Sequence, residues 1–211
     1  MRSVSTFYRI MTKAELRQNF LAHRKRLSDS VARTWSRQIG GKFIHSFDLK
    51  TAQYLHVYLP MLRHGEIDTY LLIEQLRNFY SGIQIVVPKA NPGDHTLESY
   101  LFNETTEIRV NEWGIPEPQD GERVAPEQID WIVLPLLAFD QQGYRVGYGK
   151  GFYDRYLSRC RPDVVKVGLS YFDPVDRISD VNAFDIPLDF CVTPQKVWDF
   201  GCQSHMLRTE E

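Results

Sequence analysis

After two helix-like stretches at residues 12–27 and 28–47, the chain alternates between two hydrophobic periods. Strand-like runs stand at 54–59, 83–87, 97–102, 129–134, 164–169 and 190–193, with helix-like segments at 67–79 and 151–159. Run 129–134 is almost wholly apolar, as expected of a strand covered on both faces. Such alternation implies α/β architecture: a three-layer αβα domain around a mostly parallel sheet. Sheets of this kind bind ligands beyond the carboxyl ends of their strands.

Local signals sharpen that reading. Thr12 and Glu15 have capping-box spacing, followed by the apolar positions Leu16, Phe20 and Leu27. Val31, Trp35, Ile39, Phe43 and Phe47 recur every four residues along the second helix. Pro88 is expected to end the strand at 83–87, because proline donates no ladder hydrogen bond. The Pro- and Gly-bearing stretch 111–126 reads as a long functional connection. Neither repeats nor a low-complexity linker divide the chain, so residues 12–200 are expected to form a single domain. Residues 1–11 then form a loose extension and 201–211 a tail.

Composition excludes several classes. A formal net charge of −2, with no extended Lys/Arg stripe beyond the first helix, argues against a nucleic-acid partner. No apolar run approaches the roughly 18 residues of a membrane span. Cys160, Cys191 and Cys202 are odd in number and widely separated, which suits a reducing, cytoplasmic setting rather than a disulfide framework. The first eleven residues carry Arg2 and Arg9 and no acid, so a transit peptide is the alternative to a start at Met11. The six histidines show no paired ligand spacing.

The chemistry concentrates between Asp140 and Leu157. Gly147, Gly149 and Gly151 allow close backbone approach to a ligand, and the segment runs into a helix whose free N–H groups suit phosphate. Arg145 and Lys150 add cations, and Asp154 supplies a hard oxygen donor of the kind Mg²⁺ takes. Neither the P-loop spacing nor the dinucleotide fingerprint is present. Taken alone, the glycine spacing fits a tight turn with solvated cations equally well.

The longer string Gly143-Tyr-Arg-Val-Gly-Tyr-Gly-Lys-Gly-Phe-Tyr-Asp-Arg-Tyr-Leu157 resembles the signature of the 5-formyltetrahydrofolate cyclo-ligase family. Further segments agree in order: Lys13 and Arg17 on the first helix, Tyr58-Leu-Pro-Met61, Glu66-Ile-Asp-Thr69, Val87-Pro-Lys89, Trp113-Gly-Ile-Pro-Glu-Pro118, Leu134-Pro-Leu-Leu-Ala-Phe-Asp140 and Phe184-Asp-Ile-Pro-Leu-Asp189. The likeness spans residues 12–194.

The resemblance implies an enzyme that uses ATP and Mg²⁺ to close 5-formyltetrahydrofolate to 5,10-methenyltetrahydrofolate, releasing ADP and phosphate. Phosphorylation activates the formyl oxygen, N10 attacks, and phosphate leaves. By the same resemblance, ATP lies against Lys13, Arg17, Arg145, Gly147, Gly149, Lys150, Gly151 and Tyr153, with Lys150 and Arg145 as the catalytic cations. Asp154 and Asp185 match the magnesium carboxylates, and Leu59, Met61, Glu66, Trp113, Tyr148 and Phe152 the folate-facing positions. Tyr148 stands where some relatives carry Arg. The partner is a small folate, and a monomer is expected.

The residues by themselves leave plainer roles open. Glu66 also suits the first turn of the helix at 67–79, Trp113 a packing anchor, and Asp185 a turn before Pro187. Lys13 and Arg17 also fit a solvated basic face, and Asp140 reads as a turn former. A folate-binding protein without turnover and a different ATP-dependent enzyme on the same scaffold are the rival functions.

Overall fold

In the computed structural model, which describes residues 10–91, 93–201 and 203–208, the Thr12–Glu15 spacing forms its capping box. Thr12 Oγ1 accepts from Glu15 N at 3.3 Å, and Thr12 N donates to Glu15 Oε2 at 2.8 Å. Helix α1 (Lys13–Lys25) follows, with Leu16 and Phe20 on its buried face. Ser28 caps α2 (Asp29–Ser46), along which Ile39 and Phe43 are fully buried while Val31, in the first turn, is exposed.

Three parallel strands carry the centre of the sheet: β1 (Tyr54–Val57), β7 (Trp131–Pro135) and β10 (Val165–Leu169). Parallel β2 (Gln84–Asn91) and β11 (Phe190–Val192) flank them. Antiparallel β3 (Thr96–Leu101) and β6 (Arg123–Val124) close one edge and β12 (Val197–Asp199) the other, giving the order β12-β11-β10-β7-β1-β2-β3-β6. The chain moves outward from β1 through β2, then returns to the opposite side of β1 with β7. The switch point of this α/β sheet therefore lies between β1 and β7.

Alternate residues feed two layers. Leu55, Val57, Val133, Val167 and Val192 face α2 and α3 (Thr69–Phe79), whose N-cap is Asp68. Val86, Ile132, Leu134 and Cys191 face the other way, toward Tyr156 and Leu157 of α4 (Phe152–Leu157). Each such apolar side chain contributes roughly 1.5–3 kcal/mol on full burial, so the period-two pattern fixes the sheet's register. A third cluster joins α1 to the short hairpin of β8 (Ala138–Phe139) and β9 (Arg145–Val146).

Several local expectations change. Strand β2 runs through Pro88, because pairing with β1 ends at Val86 and proline then sits where only β3 lies alongside. The stretch 111–126 is not one open connection: β4 (Ile108–Val110) pairs with β5 (Pro116–Pro118), and β6 follows. Two prolines in a three-residue strand hide it from any propensity reading. Asp140 does form a turn, accepting from Gln142 N and Tyr144 N at 3.0 Å each, between β8 and β9.

Residues 1–9 of the expected extension lie outside the described residues, while Met11 O accepts from Ser179 N at 2.9 Å. Of the expected tail, residues 203–208 fold against the end of α2, with Arg208 N donating to Ser46 O at 2.8 Å. Among the described residues, no helix is long and apolar enough to cross a membrane.

Candidate active site

A cavity of about 1080 Å³ opens beyond the carboxyl ends of the parallel strands. Tyr58 and Leu59 enter it directly after β1, Pro88 and Ala90 from the far end of β2, and Pro135 from the end of β7. Every residue that the sequence assigned to ATP, Mg²⁺ or folate lines this one space, from Lys13 and Arg17 on α1 to Asp185 in the loop before β11. Residues separated by more than a hundred positions meet there because β1 and β7 are neighbours at the switch point.

The glycine-spaced turn after β9 forms the floor at one end. Gly149 has φ +92°, and a Cβ there would come within 3.0 Å of the Arg17 guanidinium, so only glycine lets α1 approach so closely. Arg17 Nε donates to Gly147 O at 2.9 Å, tying the helix to the turn. Gly151, with φ +68°, starts α4, which is only six residues long. So short a helix adds little dipole, and any anion here relies on cations and loop N–H groups. Lys150 is exposed, and its Nζ makes no hydrogen bond or ion pair among the described residues. Arg155 braces the same turn by donating to Lys150 O at 2.5 Å and to His95 O at 3.0 Å.

Two cation–carboxylate pairs stand beside that turn. Arg145 Nη2 lies 2.7 Å from Asp154 Oδ1, with the arginine side chain 6% exposed. Lys13 Nζ pairs with Asp185 Oδ2, which also accepts from Asn182 N at 2.7 Å. Burial pulls the Arg145 pKa below its ordinary value, and the Asp154 carboxylate opposes that pull. Asp154 Oδ2 and Asp185 Oδ1 have no hydrogen-bond partner among the described residues. Two open, hard carboxylate oxygens fit Mg²⁺, which takes one or two carboxylates and completes its shell with water and phosphate.

The opposite wall is drier and aromatic. Glu66 is 6% exposed; its Oε2 accepts from Met61 N at 2.7 Å and its Oε1 from Tyr148 Oη at 2.8 Å. Phe152 stands between His95 and Trp113, with ring centroids 5.5 and 6.4 Å away. Trp113 is held out over the cavity by the β4–β5 turn, where Asn111 Oδ1 accepts from Trp113 N at 2.9 Å. It remains 42% exposed, which is unlike a packing anchor. One end of the space is thus cationic and carboxylate-bearing, and the other offers flat apolar surface with a buried acceptor.

A sequence profile of the 5-formyltetrahydrofolate cyclo-ligase family matches residues 9–194. The chain belongs to that family. A probable 5-formyltetrahydrofolate cyclo-ligase of Schizosaccharomyces pombe is 29% identical over 202 residues, covering 89% of this chain and 97% of the relative. The cyclo-ligase of Escherichia coli K12 is 36% identical over 140 residues, 64% of this chain and 76% of that one. The solved structure of Aquifex aeolicus 5,10-methenyltetrahydrofolate synthetase superimposes with a TM-score of 0.76 at 32% identity, covering 95% of this chain and 97% of that one. The two names describe one enzyme, by its substrate and by its product. The conversion of 5-formyl- to 5,10-methenyltetrahydrofolate is the family's reaction.

Three buried polar residues of this cyclo-ligase escaped the sequence reading. Arg24, 7% exposed, reaches Tyr148 from the last turn of α1. It lies about three helical turns beyond Lys13, on the same face, a spacing that was available as a signal. Glu117 lines the cavity from β5 and accepts from Ala90 N at 2.9 Å; nothing in its Pro-Glu-Pro setting marks it. His56, fully buried on β1, bonds Ser99 Oγ at 2.9 Å, and Ser99 in turn meets Tyr156 Oη at 2.6 Å. His56 Nε2 also lies 3.5 Å from the hydroxyl of Tyr153, a cavity residue. A lone histidine within an otherwise apolar strand was its only sequence signature.

Proposed function

We propose that this cyclo-ligase closes the ring of 5-formyltetrahydrofolate with ATP and Mg²⁺, releasing ADP and phosphate. The observation that carries the reading is the polarity of one cavity: paired cations and open carboxylate oxygens at one end, an aromatic slot with a buried acceptor at the other. A triphosphate suits the first end and a flat pterin the second.

In this reading Lys13, Arg17, Arg145 and Lys150 face the phosphates, with Gly147, Gly149, Gly151 and Tyr153 shaping the turn. Among the described residues Lys150 is free to follow the transferring group, whereas Arg145 and Lys13 pair with carboxylates and Arg17 is tied through Nε to Gly147 O. Asp154 and Asp185 would hold Mg²⁺, which supplies charge neutralisation among phosphate oxygens. Leu59, Met61, Trp113, Tyr148 and Phe152 frame the folate, and Glu66 accepts hydrogen bonds from its ring.

A formyl oxygen is a poor leaving group until phosphorylated. Its attack on the γ-phosphorus releases ADP; N10 then adds to the activated carbon and gives up its proton, and the C–O bond breaks to release hydrogen phosphate. No side chain forms a covalent bond in this sequence. The protein's contributions are alignment, worth up to roughly 7–11 kcal/mol in well-oriented systems, and stabilisation of moving charge.

Purified protein mixed with 5-formyltetrahydrofolate, ATP and Mg²⁺ should develop the near-ultraviolet absorbance of the methenyl product, and should fail to do so without ATP. Tight folate binding with no absorbance change would replace this reading with a folate-binding protein.

A further inference from the structure

Glu66 is the buried cavity carboxylate that Tyr148 contacts, and its surroundings are asymmetric. One oxygen is held by a main-chain N–H from Met61, the other by the phenol of Tyr148. That phenol also receives a hydrogen bond from Arg24 Nη1 at 3.2 Å. Arg24 is itself nearly sealed: Nη2 donates to Leu136 O at 2.7 Å, while Nε is buried with no partner among the described residues. An arginine kept in so dry a place with one donor unpaired is costly to stability. The groups it faces are the phenol and, through it, the carboxylate.

We propose that Arg24 is a positioning residue that acts through Tyr148 to keep Glu66 charged and aimed as an acceptor for the ring N–H donors of the folate. The proposal rests on the folate reading of the cavity given above.

The electrostatics agree. Burial pushes the Glu66 carboxyl above its ordinary value, and Met61 N–H, Arg24, the Tyr148 hydroxyl and His64 oppose that push. The other groups that face this carboxyl are phenols: Tyr148, Tyr58 and Tyr153, with Tyr171 donating to the Glu66 backbone oxygen at 3.2 Å. Burial raises the pKa of all four, so they stay neutral donors across the working range. Arg24 and His64 are thus the cations that oppose protonation of Glu66. Removing Arg24 raises the Glu66 pKa further, and binding that needs the carboxylate is then lost at a higher pH.

The test measures the dissociation constant of 5-formyltetrahydrofolate, and kcat/KM, as functions of pH. All proteins carry His64→Gln, which removes the imidazole facing the carboxylate. Arg24→Met should move the acid limb of both profiles upward by about one pH unit, leaving KM for ATP unchanged. Arg24→Lys should restore part of the shift, and Tyr148→Phe should move the limb in the same direction by less. An Arg24→Met protein whose profile is scaled equally at every pH would overturn the proposal and leave Arg24 a packing role. Should Arg24→Met fail to fold, Tyr148→Phe decides: a limb superimposable on the parent's overturns it. Parent protein that neither binds nor converts the folate at any pH overturns the folate reading itself, and the proposal with it.

Discussion

Arg145 and Asp154 stand nine positions apart in sequence and 2.7 Å apart in space, the arginine almost buried and the carboxylate 30% exposed. The pair closes the glycine-spaced turn like a clasp. Only one carboxylate oxygen is used, because Oδ1 takes both Arg145 and, at 3.4 Å, the Ile186 N–H.

Asp154→Asn should therefore separate the clasp from the metal. The amide oxygen can still accept from Arg145, so the turn keeps its shape, but the charge offered to Mg²⁺ is gone. We expect the Mg²⁺ concentration for half-maximal rate to rise by about tenfold or more, by analogy with perturbed metal shells. A magnesium titration coinciding with that of the parent protein would remove Asp154 from the metal site.

Lys150 gives the complementary case. Its side chain is exposed and unpartnered among the described residues, so truncation disturbs little of the fold. Lys150→Ala should change stability by less than about 0.5 kcal/mol, typical of surface positions. Yet kcat should fall by more than about tenfold, the usual cost of losing a partner for transition-state charge. Parallel denaturant unfolding and steady-state kinetics check both halves, and unchanged turnover would end the catalytic role.

The sequence carried the parallel core and the glycine-spaced turn because both rest on local pattern. Runs such as 129–134 announce buried strands through unbroken apolar character, and glycine at 149 and 151 reports backbone that other residues strain to adopt. What stayed hidden depends on pairing or depth. Strand β5 is held by β4 against the propensity of Pro116 and Pro118, and β2 continues past Pro88 only because its neighbour on one side has ended. Arg24, Glu117 and His56 are polar residues whose roles come from burial beside a cavity; helical spacing places Arg24 on the face of Lys13, but no period shows that the fold encloses it, and Glu117 and His56 carry no periodic signal at all.

Trp113 tests the aromatic wall without disturbing the core. It is 42% exposed and leans toward Phe152, with a ring distance of 6.4 Å. Trp113→Ala should raise KM for the folate between about two- and tenfold, the range that a lost aromatic contact supports. KM for ATP and the unfolding midpoint should stay near those of the parent. A large drop in stability with no change in KM would make Trp113 a packing residue.

His56 sets how acid acts on the fold. Burial alone drives its pKa down from 6.5 to about 3, so the folded protein keeps this ring neutral, while the unfolded chain takes up a proton as pH falls below 6.5. The unfolded state then binds the extra proton, and acid favours it. This contribution is complete above pH 6.5 and is lost progressively as pH drops toward about 3. Within that window the slope is up to about 1.4 kcal/mol per pH unit for a single group. His56→Gln keeps hydrogen-bonding capacity toward Ser99 and Tyr153 but cannot titrate, so its stability should fall less steeply with acid than the parent's. Urea unfolding at several pH values below 6.5 reads the difference between the two slopes. Equal slopes would mean that the imidazole is protonated inside the fold, against the burial that surrounds it on β1.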